Sequence, residues 1–169
     1  MNHRSGDNTP VVKVELKRAD AYELIHGDKL LSASRLVKAL GANLKAALAN
    51  ASVRRYPDKV VIFQQGDSGT GLYLVLSGDV RLFARKQSDA VELGMVHRGD
   101  VLGEGEVLSG GPLRKASAVA QGAVDLVEIP RDGLLVNGQL PPALKALLDD
   151  VHAARSQALD EMTDFLNRW

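Results

Sequence analysis

The chain has 169 residues, of which 45% are hydrophobic and 25% are charged, and this composition is that of one globular domain with a sizeable core. Basic and acidic residues balance at 21 each, so no overall positive charge attracts the chain to nucleic acid. The sequence contains no cysteine, which excludes disulfides, thiolate metal sites and a cysteine nucleophile.

The N-terminal residues 1–10, MNHRSGDNTP, are polar, and we predict that they form a mobile tail. They lack the apolar core of a secretory signal. No apolar run elsewhere approaches the roughly 20 residues that a membrane span needs. We therefore expect a cytoplasmic protein with no membrane span.

Residues 11–50 combine a strand-like and a helical pattern. Residues 11–17 alternate apolar and charged side chains, which is typical of a strand, although the same residues could begin a helix. Within residues 32–50, leucines recur four positions apart, which predicts a helix with one apolar face. Those leucines are Leu36, Leu40, Leu44 and Leu48. Gly41 is expected to bend or split this helix.

Residues 51–130 contain short apolar segments separated by turn signals rich in Gly, Asp and Ser. The predicted strands are Lys59–Phe63, Leu72–Leu76, Val80–Arg85, Val91–Val96, Ala116–Ala120 and Val124–Ile129. Short strands at this spacing predict a double-stranded β-helix, a jelly-roll-like β-roll. Some rolls of this kind hold a metal on histidines. Here only His97 falls within the roll, so we expect no metal centre.

The segment 103–118, GEGEVLSGGPLRKASA, has residue types that suit a sugar-phosphate ligand. Arg114 offers a forked guanidinium that can contact two phosphate oxygens at once. Free N–H groups at the start of a short helix favour an anion, and Glu104 can accept a hydrogen bond from a ribose hydroxyl. Small residues around them let a ligand approach the backbone. Glu104 and Arg114 could equally form only a structural ion pair.

Residues 131–169 are predicted to be helical, with a long helix that begins at Pro141. Its apolar stripe consists of Leu144, Leu147, Leu148, Val151, Ala158, Leu159, Met162, Phe165, Leu166 and Trp169. One small roll cannot cover such a stripe, so we expect it to fold over a ligand or to contact a second copy or another protein. Arg155 interrupts the stripe, and it either reaches solvent or contacts a ligand or partner.

These segments together resemble the cyclic-nucleotide-binding domain family, which includes catabolite activator proteins and regulatory subunits of the cAMP-dependent kinase. Residues 103–118 resemble its phosphate-binding cassette. Residues 59–86 (KVVIFQQGDSGTGLYLVLSGDVRLFARK) resemble its first hairpins, and residues 97–104 (HRGDVLGE) resemble the step into the cassette. The resemblance implies a mainly β fold with N-terminal helices and a long C-terminal helix that covers the ligand or forms a dimer interface. It implies a bacterial-type regulatory protein of signal transduction.

From the cassette and the long helix, the predicted ligand-binding residues are Gly103, Glu104, Gly105, Glu106, Val107, Arg114, Lys115, Ala116 and Arg155. Two of them depart from the family pattern. Glu106 stands where a small residue usually faces the cyclic phosphate, and its carboxylate would repel that phosphate unless the side chain points outward. Lys115 stands where a Ser, Thr or Ala usually lies near the base, and it could contact a phosphate or lie in solvent.

The sequence supports three hypotheses. The first is a stand-alone receptor for a cyclic mononucleotide, preferably cAMP rather than cGMP, that signals through its C-terminal helix to a second copy or a partner protein. The second is a receptor for a cyclic dinucleotide such as cyclic di-GMP, with Lys115 or Arg155 meeting the added phosphate. The third is a ligand-free interaction module with a degenerate cassette. We expect no DNA-binding domain after the long helix. No nucleophile elbow, Walker motif or dinucleotide fingerprint predicts an enzyme or a cofactor.

Overall fold

The structure of the protein is a computed structural model that describes residues 20–168 and the backbone of a short strand at residues 14–15. The tail predicted at residues 1–10 lies outside the described residues. From the strand predicted at residues 11–17, the structure describes only β1 (Val14–Glu15), which pairs antiparallel with β2 (Ser52–Tyr56).

Four short helices come next: α1 (Ala21–His26), α2 (Lys29–Ser32), α3 (Arg35–Leu40) and α4 (Leu44–Leu48). The side chains of Asp20, Asp28 and Ser34 cap the first three helices by accepting hydrogen bonds from backbone N–H groups. A 3-10 turn at Gly41–Asn43 separates α3 from α4. The helix predicted across residues 32–50 is therefore split at Gly41, as its position suggested.

The strands form one antiparallel sheet that continues through β3 (Val61–Phe63), β4 (Leu72–Lys86), β5 (Asp89–Val96), β6 (Val101–Leu102) and β7 (Ser117–Ile129). The order across the sheet is β1, β2, β7, β4 and β5, while β3 also pairs with β7 and β6 with β4. We call β2 to β7 the roll. The predicted mainly β fold with flanking helices is confirmed.

Two pairs of predicted strands are each one continuous strand, β4 and β7. The turn signal Ser77-Gly78-Asp79 lies inside β4, where the strand bends and its pairing with β7 shifts register. Gly78 has a φ of 85°, and a Cβ there would overlap the carbonyl oxygen of Ala123, so this bend requires glycine. The predicted strands also omit β2, because two adjacent arginines interrupt its apolar pattern.

Side chains along β4 alternate between two hydrophobic cores. Leu72, Leu74 and Leu76 face a core that the sheet shares with the helices. Tyr73 and Val75 face the interior of the roll. One strand thus joins the helical layer to the roll.

Three helices follow the strands or interrupt them: α5 (Glu104–Ser109), α6 (Arg131–Leu134) and α7 (Pro142–Asn167). The 26 residues of α7 extend over about 40 Å. Leu144, Leu147 and Leu148 bury its first half in the helical core, whereas Met162 and Leu166 near its end are exposed. Within residues 20–168, no helix is both long enough and apolar enough to cross a bilayer.

Candidate functional site

The cassette begins with a sharp change of direction at Gly103, between β6 and α5. Gly103 has a φ of 87°, and a Cβ there would lie 2.8 Å from both Arg114 Nη1 and the Gly71 carbonyl oxygen. Only glycine fits this position without strain. The turn brings the Glu106 carboxylate of α5 close to Arg114, which lies on the loop that leads to β7.

The guanidinium of Arg114 is buried, and two of its nitrogens donate hydrogen bonds to other residues. Its Nη1 donates to Glu106 Oε1 at 3.0 Å, and its Nη2 donates to the Gly71 carbonyl oxygen at 3.0 Å. Its Cζ lies 4.5 Å from the ring centre of Phe63 and 5.4 Å from that of Tyr73. The two side chains of the ion pair are only 2% and 6% exposed, for Arg114 and Glu106 respectively. The carboxylate partner of Arg114 is Glu106 rather than Glu104, the partner considered for a structural ion pair.

Aromatic rings close the side of the site that faces the roll. Burial, with a smaller effect from the Glu128 carboxylate, raises the pKa of Tyr73 above its ordinary value. The Tyr73 hydroxyl lies 3.2 Å from Glu128 Oε2 and can donate to it. Tyr73 therefore stays neutral at physiological pH, and its ring offers a π face to the guanidinium.

The second cassette carboxylate, Glu104, binds α7. Arg155 Nη1 donates to Glu104 Oε1, and His152 Nδ1 lies 3.1 Å from Glu104 Oε2. Arg155 Nη2 also donates to the Val101 carbonyl oxygen at 2.7 Å. Glu104 is buried and Arg155 is 17% exposed on its side chain, so these charges meet away from bulk water. We call the three side chains of Glu104, His152 and Arg155 the helix latch.

A cavity of about 260 Å³ lies between the roll, the cassette and α7. Its apolar wall consists of Phe63, Leu82, Leu93 and Leu159. The opposite wall is polar and is formed by the cassette and the helix latch. A concave site with an apolar side and a few converging polar groups suits a small ligand that has a flat apolar part and a polar part.

Cyclic nucleotides have those two parts, and the sequence matches proteins that bind them. Residues 53–136 match the family model described as the cyclic nucleotide-binding domain. The chain belongs to the cyclic nucleotide-binding domain family. The resemblance found in residues 59–86 and 97–118 is thereby confirmed.

Relatives within the cyclic nucleotide-binding domain family include known regulators. The chain is 35% identical over 122 residues to the cyclic AMP receptor protein of Thermus thermophilus, which covers 72% of this chain and 56% of that protein. The crystal structure of the catabolite activator protein of that organism superposes with a TM-score of 0.63 at 34% identity, covering 79% of this chain and 63% of the other. The c-di-GMP responsive global regulator of Xanthomonas campestris superposes with a TM-score of 0.57 at 27% identity. The superposition covers 75% of this chain and 63% of that protein. This chain thus spans less than two thirds of the length of each of these three proteins.

Most of the predicted binding residues line the cavity of this cyclic nucleotide-binding domain. They are Gly103, Glu104, Gly105, Glu106, Lys115, Ala116 and Arg155. Two others do not line it. Val107 is fully buried in the helical core, and Arg114 lies behind Glu106, without a place on the cavity wall. Lys115 is an exposed residue at the edge of the cavity.

The sequence alone missed part of the site. His152 and Ser156 are absent from the predicted binding residues, yet both line the cavity with Arg155 and Leu159. Spacings of three and four residues put these four side chains on one helical face. That spacing around Arg155 was the available signal. Among the described residues, no cluster of histidine and carboxylate side chains could hold a metal ion.

Proposed function

We propose that this domain is a receptor for cAMP whose C-terminal helix passes the binding event to a partner. The observation that carries the proposal is the helix latch, because the Glu104 carboxylate borders the ligand cavity and also holds α7. A ligand that hydrogen bonds to Glu104 changes how α7 docks, and this gives the two positions of the helix different affinities for the ligand. The 35% identity to a cyclic AMP receptor protein supports cAMP as the ligand.

The walls of the cavity suit the parts of cAMP. The purine would lie against the apolar wall of Leu82 and Leu93, and the ribose hydroxyl would donate to Glu104. The cyclic phosphate would lie toward the cassette, where Arg114 is the buried cation. We propose that the domain binds the nucleotide and transmits this binding through α7, and that it catalyses no reaction.

Calorimetric titration with cAMP, cGMP and cyclic di-GMP tests the ligand. We expect cAMP to bind most tightly, and Glu104→Gln to weaken it about tenfold, since a hydroxyl then meets a neutral acceptor. The matched control is Glu92→Gln, because Glu92 pairs with Arg81 on an exposed part of β5. Tighter binding of cyclic di-GMP would replace the proposal with the dinucleotide receptor.

A second function has one observation in its favour. The buried pair of Arg114 and Glu106 satisfies the cassette arginine without any ligand. This arrangement favours the ligand-free interaction module with a degenerate cassette. Absence of heat with all three nucleotides, for a protein that is folded by circular dichroism, would count against the receptor and favour this module.

We propose a second copy of the chain as the partner of α7. Near the end of the helix, Met162 and Leu166 are 41% and 40% exposed, and apolar stripes of this kind are typical of two-fold helix interfaces. Light scattering after size exclusion should give the mass of a dimer for the full chain and of a monomer for Met162→Glu with Leu166→Glu. Glu161→Lys, which changes an exposed polar side chain of the same helix, is the control. A monomeric full chain with and without cAMP would leave a different protein as the partner.

A further inference from the structure

We infer that Glu106 is an internal anion that fills the place where the cassette arginine would meet the phosphate of a ligand. Its carboxylate oxygen lies 3.0 Å from Arg114 Nη1, inside the protein and next to the cavity. Glu106 thereby lowers the affinity of the site for an anionic ligand, because such a ligand must displace this carboxylate. The inference rests on the proposed function for the identity of the ligand, but not for the role of Glu106 toward Arg114.

The surroundings of Arg114 leave no open approach to its guanidinium. Gly71 accepts from Nη2, and the rings of Phe63 and Tyr73 cover the planar group. Gly69 packs so closely that a Cβ there would lie 3.0 Å from Arg114 Nε. Nη1, the guanidinium nitrogen that faces the cassette, donates to Glu106. We therefore expect an external anion to reach Nη1 only after Glu106 has moved.

The two carboxylates at the start of α5 have separate roles. Glu104 is held by α7 and Glu106 is held by Arg114, although they are two residues apart. Side chains at this separation diverge on a helix, which agrees with their different partners. A phosphate placed between them would face two negative charges at short range, and the nearest guanidinium would already be neutralised. Glu106 thus opposes an anion at this end of the cavity.

The pair also explains how the cassette can be ordered without a ligand. A buried arginine without a carboxylate is strongly unfavourable, so a small residue at position 106 would leave the counter-charge to the ligand. Here the chain supplies the counter-charge itself. Removal of Glu106 should turn Arg114 into an unpaired buried cation that accepts any small anion that can reach it.

Thermal unfolding with inorganic phosphate tests this role without a nucleotide. Four proteins are compared: the wild type, Glu106→Ala, the double variant Arg114→Ala with Glu106→Ala, and the surface control Glu92→Ala. Phosphate stabilises most proteins non-specifically, so the wild type and the control give the baseline. For Glu106→Ala we expect an additional rise in Tm of roughly 3–6 °C at a phosphate concentration ten times the dissociation constant. The double variant should return to the baseline.

Equal shifts in the wild type and Glu106→Ala, or an equal shift in the double variant, would overturn the inference. Glu106→Gln covers the case in which Glu106→Ala does not fold, because glutamine keeps the size and one acceptor but has no charge. This variant should also show the additional phosphate shift, and its absence would count equally against the inference.

Titration of Glu106→Gln with cAMP links the internal anion to the proposed ligand. We expect binding about tenfold tighter than that of the wild type, since the competing carboxylate charge is gone. Unchanged or weaker binding of cAMP would overturn the competition between Glu106 and the ligand phosphate. If the variants gain a phosphate response but neither they nor the wild type bind cAMP, the receptor function fails while the internal anion stands.

Discussion

Replacing Arg114 with alanine is expected to lower the free energy of unfolding by about 3–5 kcal/mol, because Glu106 would remain buried without its cation. The pair is almost fully withdrawn from solvent, so water cannot take over the role of the guanidinium. In the folded fraction, cAMP affinity should fall about 30-fold or more, since the only buried cation of the cassette is lost. Urea unfolding followed by circular dichroism, together with calorimetry, measures both effects.

Two further variants distinguish the loss of the Arg114–Glu106 ion pair from the general effect of truncating a side chain to alanine. Arg81→Ala removes the cation of an exposed pair with Glu92 and should cost less than about 1 kcal/mol. Adding Glu106→Ala to Arg114→Ala should cost much less than the sum of the two single substitutions, because no unpaired charge remains. Additive losses would contradict the view that the two side chains form one electrostatic unit.

Replacing Arg155 with alanine should release the distal half of α7 from the roll. Arg155 donates to Glu104 and to the Val101 carbonyl oxygen, and hydrogen bonds to charged groups each contribute about 1.5–3 kcal/mol. Amide hydrogen exchange of residues 152–167 should accelerate by about 30-fold or more, while exchange in β4 and β7 stays slow. Mass spectrometry after exchange resolves these segments.

The control for this experiment lies on the same helix. Lys145 pairs with Asp149 one turn away, and both side chains are more than half exposed, so Lys145→Ala should change exchange very little. Addition of cAMP to the wild type should change exchange of residues 152–167 if the ligand shares Glu104 with Arg155. Unchanged exchange under saturating cAMP would contradict transmission through the helix latch.

Local patterns predicted most of the fold. Four-residue spacing of leucines predicted the N-terminal helical region and its split at Gly41, and turn residues placed the strands of the roll. The local patterns did not predict that β4 and β7 are each one continuous strand. Ser77-Gly78-Asp79 has the composition of a turn, but β7 pairs along both parts of β4 and keeps them in one strand. Such pairing depends on residues some fifty positions away, which a local signal does not contain.

The residue types of the site were predictable, but their partners were not. The sequence predicted Glu104 and Arg114 as ligand-binding residues, and it left open the direction of the Glu106 side chain. The structure pairs Arg114 with Glu106 and Glu104 with Arg155, contacts that span 8 and 51 residues. Side-chain direction on α5 depends on the left-handed turn at Gly103 and on where α7 docks. Both are tertiary properties.

The alternation of side chains along β4 has a consequence for how the protein unfolds. Because this one strand supplies Leu72 and Leu74 to one core and Tyr73 and Val75 to the other, neither core can lose its packing while β4 keeps its place in the other. The helical layer and the roll therefore behave as a single cooperative unit and melt together. Within residues 20–168, we expect partial opening first at the end of α7, where Met162 and Leu166 are exposed, while the two cores remain packed.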